Sequence, residues 1–222
     1  MATAPRTLTR DEARRAYDRI GALQDTQAFY ENAALEVLLS HGAFAAATRV
    51  FELGCGTGRV AALLLDAHLP PAASYRGVDL SPTMVDLARR RLARFGARAE
   101  VALSTGDPPR DEPDAAYDRF LSTYVLDLLS ETDIAAMLSE AHRMLRPGGL
   151  LCLTSLSTGC GPGSRLVARV WATVHRWQPV LVGGCRPLDL PSRLAAADWS
   201  VRHVEHLAPF GIPSDAIIAE RR

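Results

Sequence analysis

The sequence predicts an α/β protein of the doubly wound kind, a mostly parallel sheet with helices on both faces and a helical cap at the N-terminus. Three observations predict it. Short apolar runs alternate with helical periodicity between residues 49 and 154. A glycine-rich turn, Gly54-Cys55-Gly56-Thr57-Gly58, joins the first of those runs to a helix. The 222 residues, 48% hydrophobic and 23% charged, suit one globular domain with a large core rather than two small ones.

The elements follow in order. Residues 1–10 read as a loose tail. From Asp11 to about Phe44 apolar stripes (Ala16, Ile20, Leu23, then Leu35, Val37, Leu38, Leu39) predict two helices broken near Gly21 to Thr26, the helical cap of residues 11–44. The cofactor-binding core of residues 49–154 opens with a strand at Arg49 to Leu53, the glycine turn, and a helix from Val60 to Ala67. A second strand spans Ser74 to Leu80, and Ser81-Pro82 then supplies an N-cap and a first-turn proline for a helix ending at Gly96. Ala99 to Leu103 and Arg119 to Val125 are further strands, separated by a loop rich in Pro and Asp. Ser130-Glu131-Thr132-Asp133 is a capping-box pattern that opens a helix to Leu145. Arg146-Pro147-Gly148-Gly149 ends it before a fifth strand, Leu150 to Thr154. Residues 155–190 break the alternation as an insertion or lid, and Trp199 to Ala208 with Asp215 to Glu220 form two closing strands at residues 199–220. The whole, residues 1–222, is expected to be a single domain.

Bulk charge narrows the partners. Basic and acidic residues number 25 each, so the chain lacks the basic surplus with which nucleic-acid enzymes meet phosphates, and no nucleic acid is expected. No secretory h-region and no run of about 18 apolar residues is present, which makes the cytoplasm the default address. Cys55, Cys152, Cys160 and Cys185 form no C-x-x-C pair and read as reduced thiols.

The glycine turn carries the chemistry. Bare backbone at a strand-to-helix turn lets a ligand lie against the main chain. Dinucleotide folds favour G-x-G-x-x-G, whereas here Gly54, Gly56 and Gly58 stand at alternate positions and Glu52 lies two residues upstream. A carboxylate there suits a ligand bearing an ammonium, as S-adenosylmethionine does, better than a pyrophosphate. Asp79, at the tip of the second strand and 25 residues after Gly54, is placed to hold two ribose hydroxyls. Its plainer role is a charge at the start of the following helix, which Ser81 already caps.

The segments V-F-E-L-G-C-G-T-G-R, G-V-D-L-S-P-T-M, S-T-G-D, Y-D-R-F-L-S-T-Y-V-L and L-R-P-G-G-L-L, in that order over residues 50–154, resemble the successive motifs of class I S-adenosylmethionine-dependent methyltransferases, with a style similar to the ubiquinone/menaquinone-biosynthesis type. The resemblance implies a seven-stranded sheet with its last strand antiparallel and S-adenosyl-L-methionine as cofactor. Carried over by position, it implies that Glu52 and the backbone of Gly54, Cys55, Gly56 and Gly58 hold the methionine half. It gives the ribose to Asp79, the adenine face to Leu80, the adenine amino group to Asp107, and the methionine side to Ser122. Tyr17, in the context Y-D-R-I, is similar to the cofactor lid of relatives. Pro108 departs from the pattern, because it removes the backbone N–H that relatives offer to adenine; Asp111 is the substitute within the loop.

Methyl transfer from a sulfonium needs alignment and exclusion of water more than acid–base chemistry, so no triad or metal set is required, and none is legible. The acceptor is expected to be a small or apolar molecule, met by the cap, the loop after the fourth strand and the insertion. Tyr17, Phe29, Tyr30, Tyr124 and Asp127 are candidates there, each equally able to serve as core or surface, and His41, His203 and His206 are candidate bases. His203-x-x-His206 in a strand would point its rings to opposite faces, against a metal. In the insertion, Ser164 to Trp177 reads as an amphipathic helix with Leu166, Val167, Val170, Trp171 and Val174 on one face and Arg165, Arg169 and Arg176 on another. It packs on the sheet in the first reading; in the second it is a lid for an apolar acceptor or lies on a membrane surface. Alternatives to a soluble small-molecule methyltransferase, monomeric or homodimeric, are therefore a membrane-surface lipid or quinone methyltransferase and a non-catalytic S-adenosylmethionine-binding module.

Overall fold

The computed structural model describes residues 7–195 and 197–222, so most of the expected N-terminal tail, residues 1–6, lies outside the described residues. The elements are α1 (Arg10–Ile20), a 3-10 turn (Gly21–Gln27), α2 (Ala28–His41), β1 (Arg49–Leu53), α3 (Arg59–Leu63), β2 (Ser74–Asp79), α4 (Pro82–Leu92), β3 (Ala99–Leu103), β4 (Tyr117–Thr123), α5 (Glu131–Met144), β5 (Leu145–Leu156), α6 (Pro162–Trp177), β6 (Trp199–Leu207) and β7 (Ser214–Arg221). They build one seven-stranded sheet in the order β3-β2-β1-β4-β5-β7-β6. Strands β1 to β5 pair in parallel, while β7 runs antiparallel to both β5 and β6. The doubly wound class and the antiparallel last strand are as the sequence predicts.

Pleating divides the core into two layers. Val50, Leu121, Cys152 and Ile218 face one side and pack with Leu38, Phe44, Leu64 and Val85 of the helices there. Phe51, Phe120, Leu151 and Ile217 face the other and pack with Ile134, Met137 and Met144 of α5. Because both faces are covered, β1 and β4 are buried along nearly their whole length instead of alternating between buried and exposed.

Local signals explain most boundaries. Ser81 Oγ accepts from Met84 N and Pro82 opens α4, while Ser130 Oγ accepts from Asp133 N at the start of α5. Other boundaries move. The helix after the glycine turn ends at Leu63 and relaxes into a wider turn, Leu64–His68. The fifth strand begins at Leu145, which pairs with Tyr117, and Arg146 to Gly149 form a bulge before Leu150 meets Arg119. Thr9, read as tail, makes a reciprocal capping box with Glu12 and starts α1.

Sheet order reverses between β2-β1 and β4-β5. That switch point, at the carboxyl ends of β1 and β4, is where an open α/β sheet leaves a crevice. The cap and the residues after α6 roof it.

Candidate cofactor and acceptor cleft

The crevice holds a cleft of about 200 Å³. Its floor is the glycine loop. Gly54 N and Cys55 N both donate to Val78 O, at 2.8 and 3.0 Å, so the loop is folded back onto β2. Gly54 is required there, since a Cβ would lie 2.3 Å from a Val125 methyl. Gly56, with φ 52°, donates its N–H to Asp79 Oδ2 at 2.9 Å, and a Cβ there would meet nothing within 4 Å because it would project into the cleft. Gly58 belongs to packing instead: its Cβ would touch Ala88 of α4 at 3.1 Å, and it does not line the cleft.

Asp79 closes β2 on the cleft wall. Oδ2 takes the Gly56 N–H and Oδ1 takes the Ser81 N–H, both at 2.9 Å, and the carboxylate keeps acceptor capacity beyond its backbone partners. Burial raises its carboxyl above the usual range, against the pull of those N–H groups. Glu52 lies deeper, accepting from the Tyr75 hydroxyl, and burial lifts its carboxyl to about 7. Burial beside these two acids also pushes the Cys55 thiol up, so it is an inert wall group. Leu80 completes this side.

Tyr17 reaches the cleft from α1. Its hydroxyl lies 3.5 Å from Gly183 O, and burial, with nearby Cys185, raises the phenol well above its ordinary value. The cap is fastened by polar groups. Asp18 Oδ1 accepts from Ser81 Oγ at 2.6 Å, and Asp25 accepts from Thr57 Oγ1 and Arg91 Nη2, both at 2.6 Å. Arg59 donates to Asn32 Oδ1 at 2.8 Å and to Glu31 Oε2 at 3.1 Å.

Of the residues expected in the site, Tyr17, Glu52, Gly54, Cys55, Gly56, Asp79 and Leu80 line this one cleft. Four are placed elsewhere, Gly58 among them. Asp107 is exposed, takes an ion pair from Arg10 at 2.6 Å that lowers its carboxyl, and is outside the lining; Asp111 is outside it too. Ser122 is buried, donates to Leu53 O at 3.3 Å and so pins β4 to β1, leaving the lining to Thr123 and Tyr124.

The acceptor-side candidates also separate. Tyr124, at an unusual φ of 53°, donates to Ser214 Oγ at 3.0 Å and lines the cleft, with the Tyr30 ring 5.7 Å behind it. Asp127 lies beneath, wholly buried, with Leu156 N on Oδ2 and a carboxyl raised by burial to about 7. Phe29 faces out against Phe210. His41 and His203 stack at 3.7 Å and His206 bonds Asp215, all outside the lining. Sequence reasoning missed Thr7 and Leu8, and the apolar wall of Val125, Leu128, Leu129 and Met137. The Val125-Leu-Asp-Leu-Leu129 run after β4 was its only signal.

Residues 50–149 match the family described as Methyltransferase domain. The chain is 29% identical over 163 residues to malonyl-[acyl-carrier protein] O-methyltransferase of Serratia marcescens, covering 72% of this chain and 58% of that one. It is 33% identical over 146 residues to demethylmenaquinone methyltransferase of Tropheryma whipplei (strain Twist), covering 64% and 55%. The chain thus spans less than two thirds of the length of these curated relatives. Its fold resembles the [4+2]-cyclase SpnF, with a TM-score of 0.73, 17% identity and 99% of each chain covered. Residues 50–149 are thus similar to a methyltransferase domain, and the sheet order, with its antiparallel last strand, is the one that the resemblance to class I S-adenosylmethionine-dependent methyltransferases implies.

Proposed function

We propose that this chain transfers a methyl group from S-adenosyl-L-methionine to a small, largely apolar acceptor. One observation carries the proposal: bare glycine-loop backbone, the Asp79 carboxylate and an apolar wall from the loop after β4 open onto one cleft. The residues present fit the cofactor. Asp79 puts a carboxylate on the cleft wall for vicinal hydroxyls, Gly56 leaves the space a side chain would fill, and Glu52 offers a buried carboxylate for an ammonium. When bound, the cofactor supplies an electrophilic methyl on a sulfonium.

The chain's own residues bind, orient and exclude water. Glu52 and Asp79 fix the two polar ends. Tyr17, carried by the cap, closes over them, and Val125, Leu128, Leu129 and Met137 give an acceptor a dry surface. Such a wall suits an apolar body better than a multiply charged one, since burying an unpaired charge is costly. The names of the curated relatives, a malonyl-[acyl-carrier protein] O-methyltransferase and a demethylmenaquinone methyltransferase, keep a carrier-bound acyl group methylated on oxygen and a quinone-type acceptor both in view.

The test is a screen of apolar hydroxyl, amine and enolisable acceptors with methyl-labelled cofactor, preceded by calorimetry of cofactor binding. Binding followed by label transfer to an apolar acceptor is expected. A folded chain with no cofactor affinity would overturn the reading.

A further inference from the structure

Helix α6 does not present one apolar face to the sheet. Ser164, Ala168 and His175 point inward and are buried, and Trp171 donates its indole N–H to Cys185 O at 2.9 Å. Leu166, Val170 and Trp177 point the other way, at 63%, 56% and 81% exposure. These three positions are spaced i, i+4, i+11 and form one stripe along the helix. Arg165, Arg169 and Arg176, each one residue earlier, form a second stripe beside it, so the outward surface is built from the pairs Arg165-Leu166, Arg169-Val170 and Arg176-Trp177. Arg169 and Arg176 have no carboxylate partner among the described residues.

Two further observations say what would cover this surface. Residues 141–188 contain six arginines and no Asp or Glu; Arg143, Arg146 and Arg186 pair with acids from outside the stretch, which leaves Arg165, Arg169 and Arg176, all on α6, as the arginines there without a carboxylate partner among the described residues. The apolar stripe also continues beyond the helix. Val180 and Leu181 are exposed after its C-terminus, and on its flank Gly211 abuts Val167, next to the exposed Phe210 and Phe29 rings 5.4 Å apart. A convex surface of Trp, Leu, Val and Phe edged by unpaired arginines matches an anionic bilayer, where apolar groups enter the headgroup boundary and guanidinium groups meet phosphates.

We propose that the outward face of α6, with Val180, Leu181 and Phe210, docks on an anionic lipid surface. The helix lies in the plane of the interface and does not span it; no helix among the described residues is long and apolar enough to cross a membrane. Docking here sets the cleft beside the lipid, because Gly184, just past α6, packs against Leu8 and Leu128 of the cleft wall. Delivery of an apolar acceptor from the bilayer rests on the proposed function; docking itself does not.

The test uses the full chain with vesicles of phosphatidylcholine mixed with phosphatidylglycerol, and with phosphatidylcholine alone, at about 0.1 M salt. Co-sedimentation with the mixed vesicles only is expected, with a blue shift of tryptophan emission. The double substitution Arg169→Gln with Arg176→Gln, and separately Trp177→Ser, should each weaken partitioning about tenfold or more at unchanged circular dichroism. Arg90→Gln, on exposed α4, should not. Absence of binding to mixed vesicles, equal binding to both kinds, or wild-type binding by the variants overturns the proposal. So does a dimer in sedimentation velocity that Trp177→Ser dissolves, or retention on polyglutamate without vesicle binding, since either names a different occupant. Calorimetry of cofactor binding on the same preparation separates this result from that of the methyl-donor reading.

Discussion

Glu52 sits under the cleft with its charge opposed by burial and with one hydrogen bond, from Tyr75, to support it. Its carboxyl is raised from an ordinary 4.5 to about 7, so its contribution to folding stability is full below about 4.5 and is lost as pH rises through about 7. A ligand cation beside it favours the ionised form, so binding releases a proton. Cofactor affinity should therefore rise between about pH 6 and about pH 8, and Glu52→Gln should flatten that rise in calorimetry. Asp127 also titrates near 7 but does not line the cleft, and the Gln variant isolates Glu52 from it. Asp79 makes a second test. Asp79→Ala removes the acceptor for vicinal hydroxyls and leaves the Gly56 and Ser81 N–H groups unpaired, and affinity should fall by roughly ten- to a hundredfold. Wild-type affinity in that variant would remove the ribose role. Both acids were legible because they flank a glycine turn at strand tips. Asp107 and Ser122 lie outside the cleft lining, where an ion pair with Arg10 holds one and a bond to Leu53 O commits the other to the sheet, contacts that position in sequence does not reveal.

Among elements, the cap is held differently from the rest of the fold. Apart from Tyr17, which dips into the cleft, helix α1 buries little apolar surface, so its attachments are chiefly polar: Arg10 to Asp107, Asp18 to Ser81 and, in the turn after it, Asp25 to Thr57 and Arg91. Asp25→Ala should then raise the cofactor dissociation constant several-fold, while shifting chemical denaturation by no more than about 1 kcal/mol, because partly exposed ion pairs contribute little to global stability. Denaturation that moves as far as binding does would show the cap to be core. The elements that the sequence defined well are those with a local chemical signal: the glycine turn, the Ser81-Pro82 cap and the Ser130 cap. Those it misplaced depend on distant partners. Leu145 is a strand residue because Tyr117 pairs with it, across a bulge that Pro147 and two glycines appear in sequence only to terminate. Helix α6 has apolar residues over more of its circumference than the fold covers, and periodicity alone does not say which sector turns inward.

At the scale of the whole molecule, the two ends of the sheet carry different tasks. The carboxyl ends of β1, β2 and β4 hold the cleft, while the opposite end is closed by a buried polar knot. Arg119 of β4 donates from Nε to Gly42 O and from Nη2 to Ala43 O, both at 2.6 Å, and Asp118 accepts from Thr48 N at 2.7 Å, tying the loop between α2 and β1 to the sheet. Arg119→Met would leave those carbonyls without their donor in a buried setting and should cost about 2–4 kcal/mol. Saturation of the cleft acts on the same equilibrium from the other end. S-adenosylhomocysteine at about a hundred times its dissociation constant should add about 2.7 kcal/mol, a rise of roughly 5–10 °C in Tm for a domain of this size. Because the knot and the cleft share no side chain, the two effects should add. Thermal scans of the wild type and of Arg119→Met, each with and without ligand, should therefore give two baselines separated by the cost of the knot and nearly equal ligand increments. Unequal increments would mean that the Gly42–Thr48 loop and the cofactor cleft are coupled through β1, and that the two ends of the sheet do not act independently.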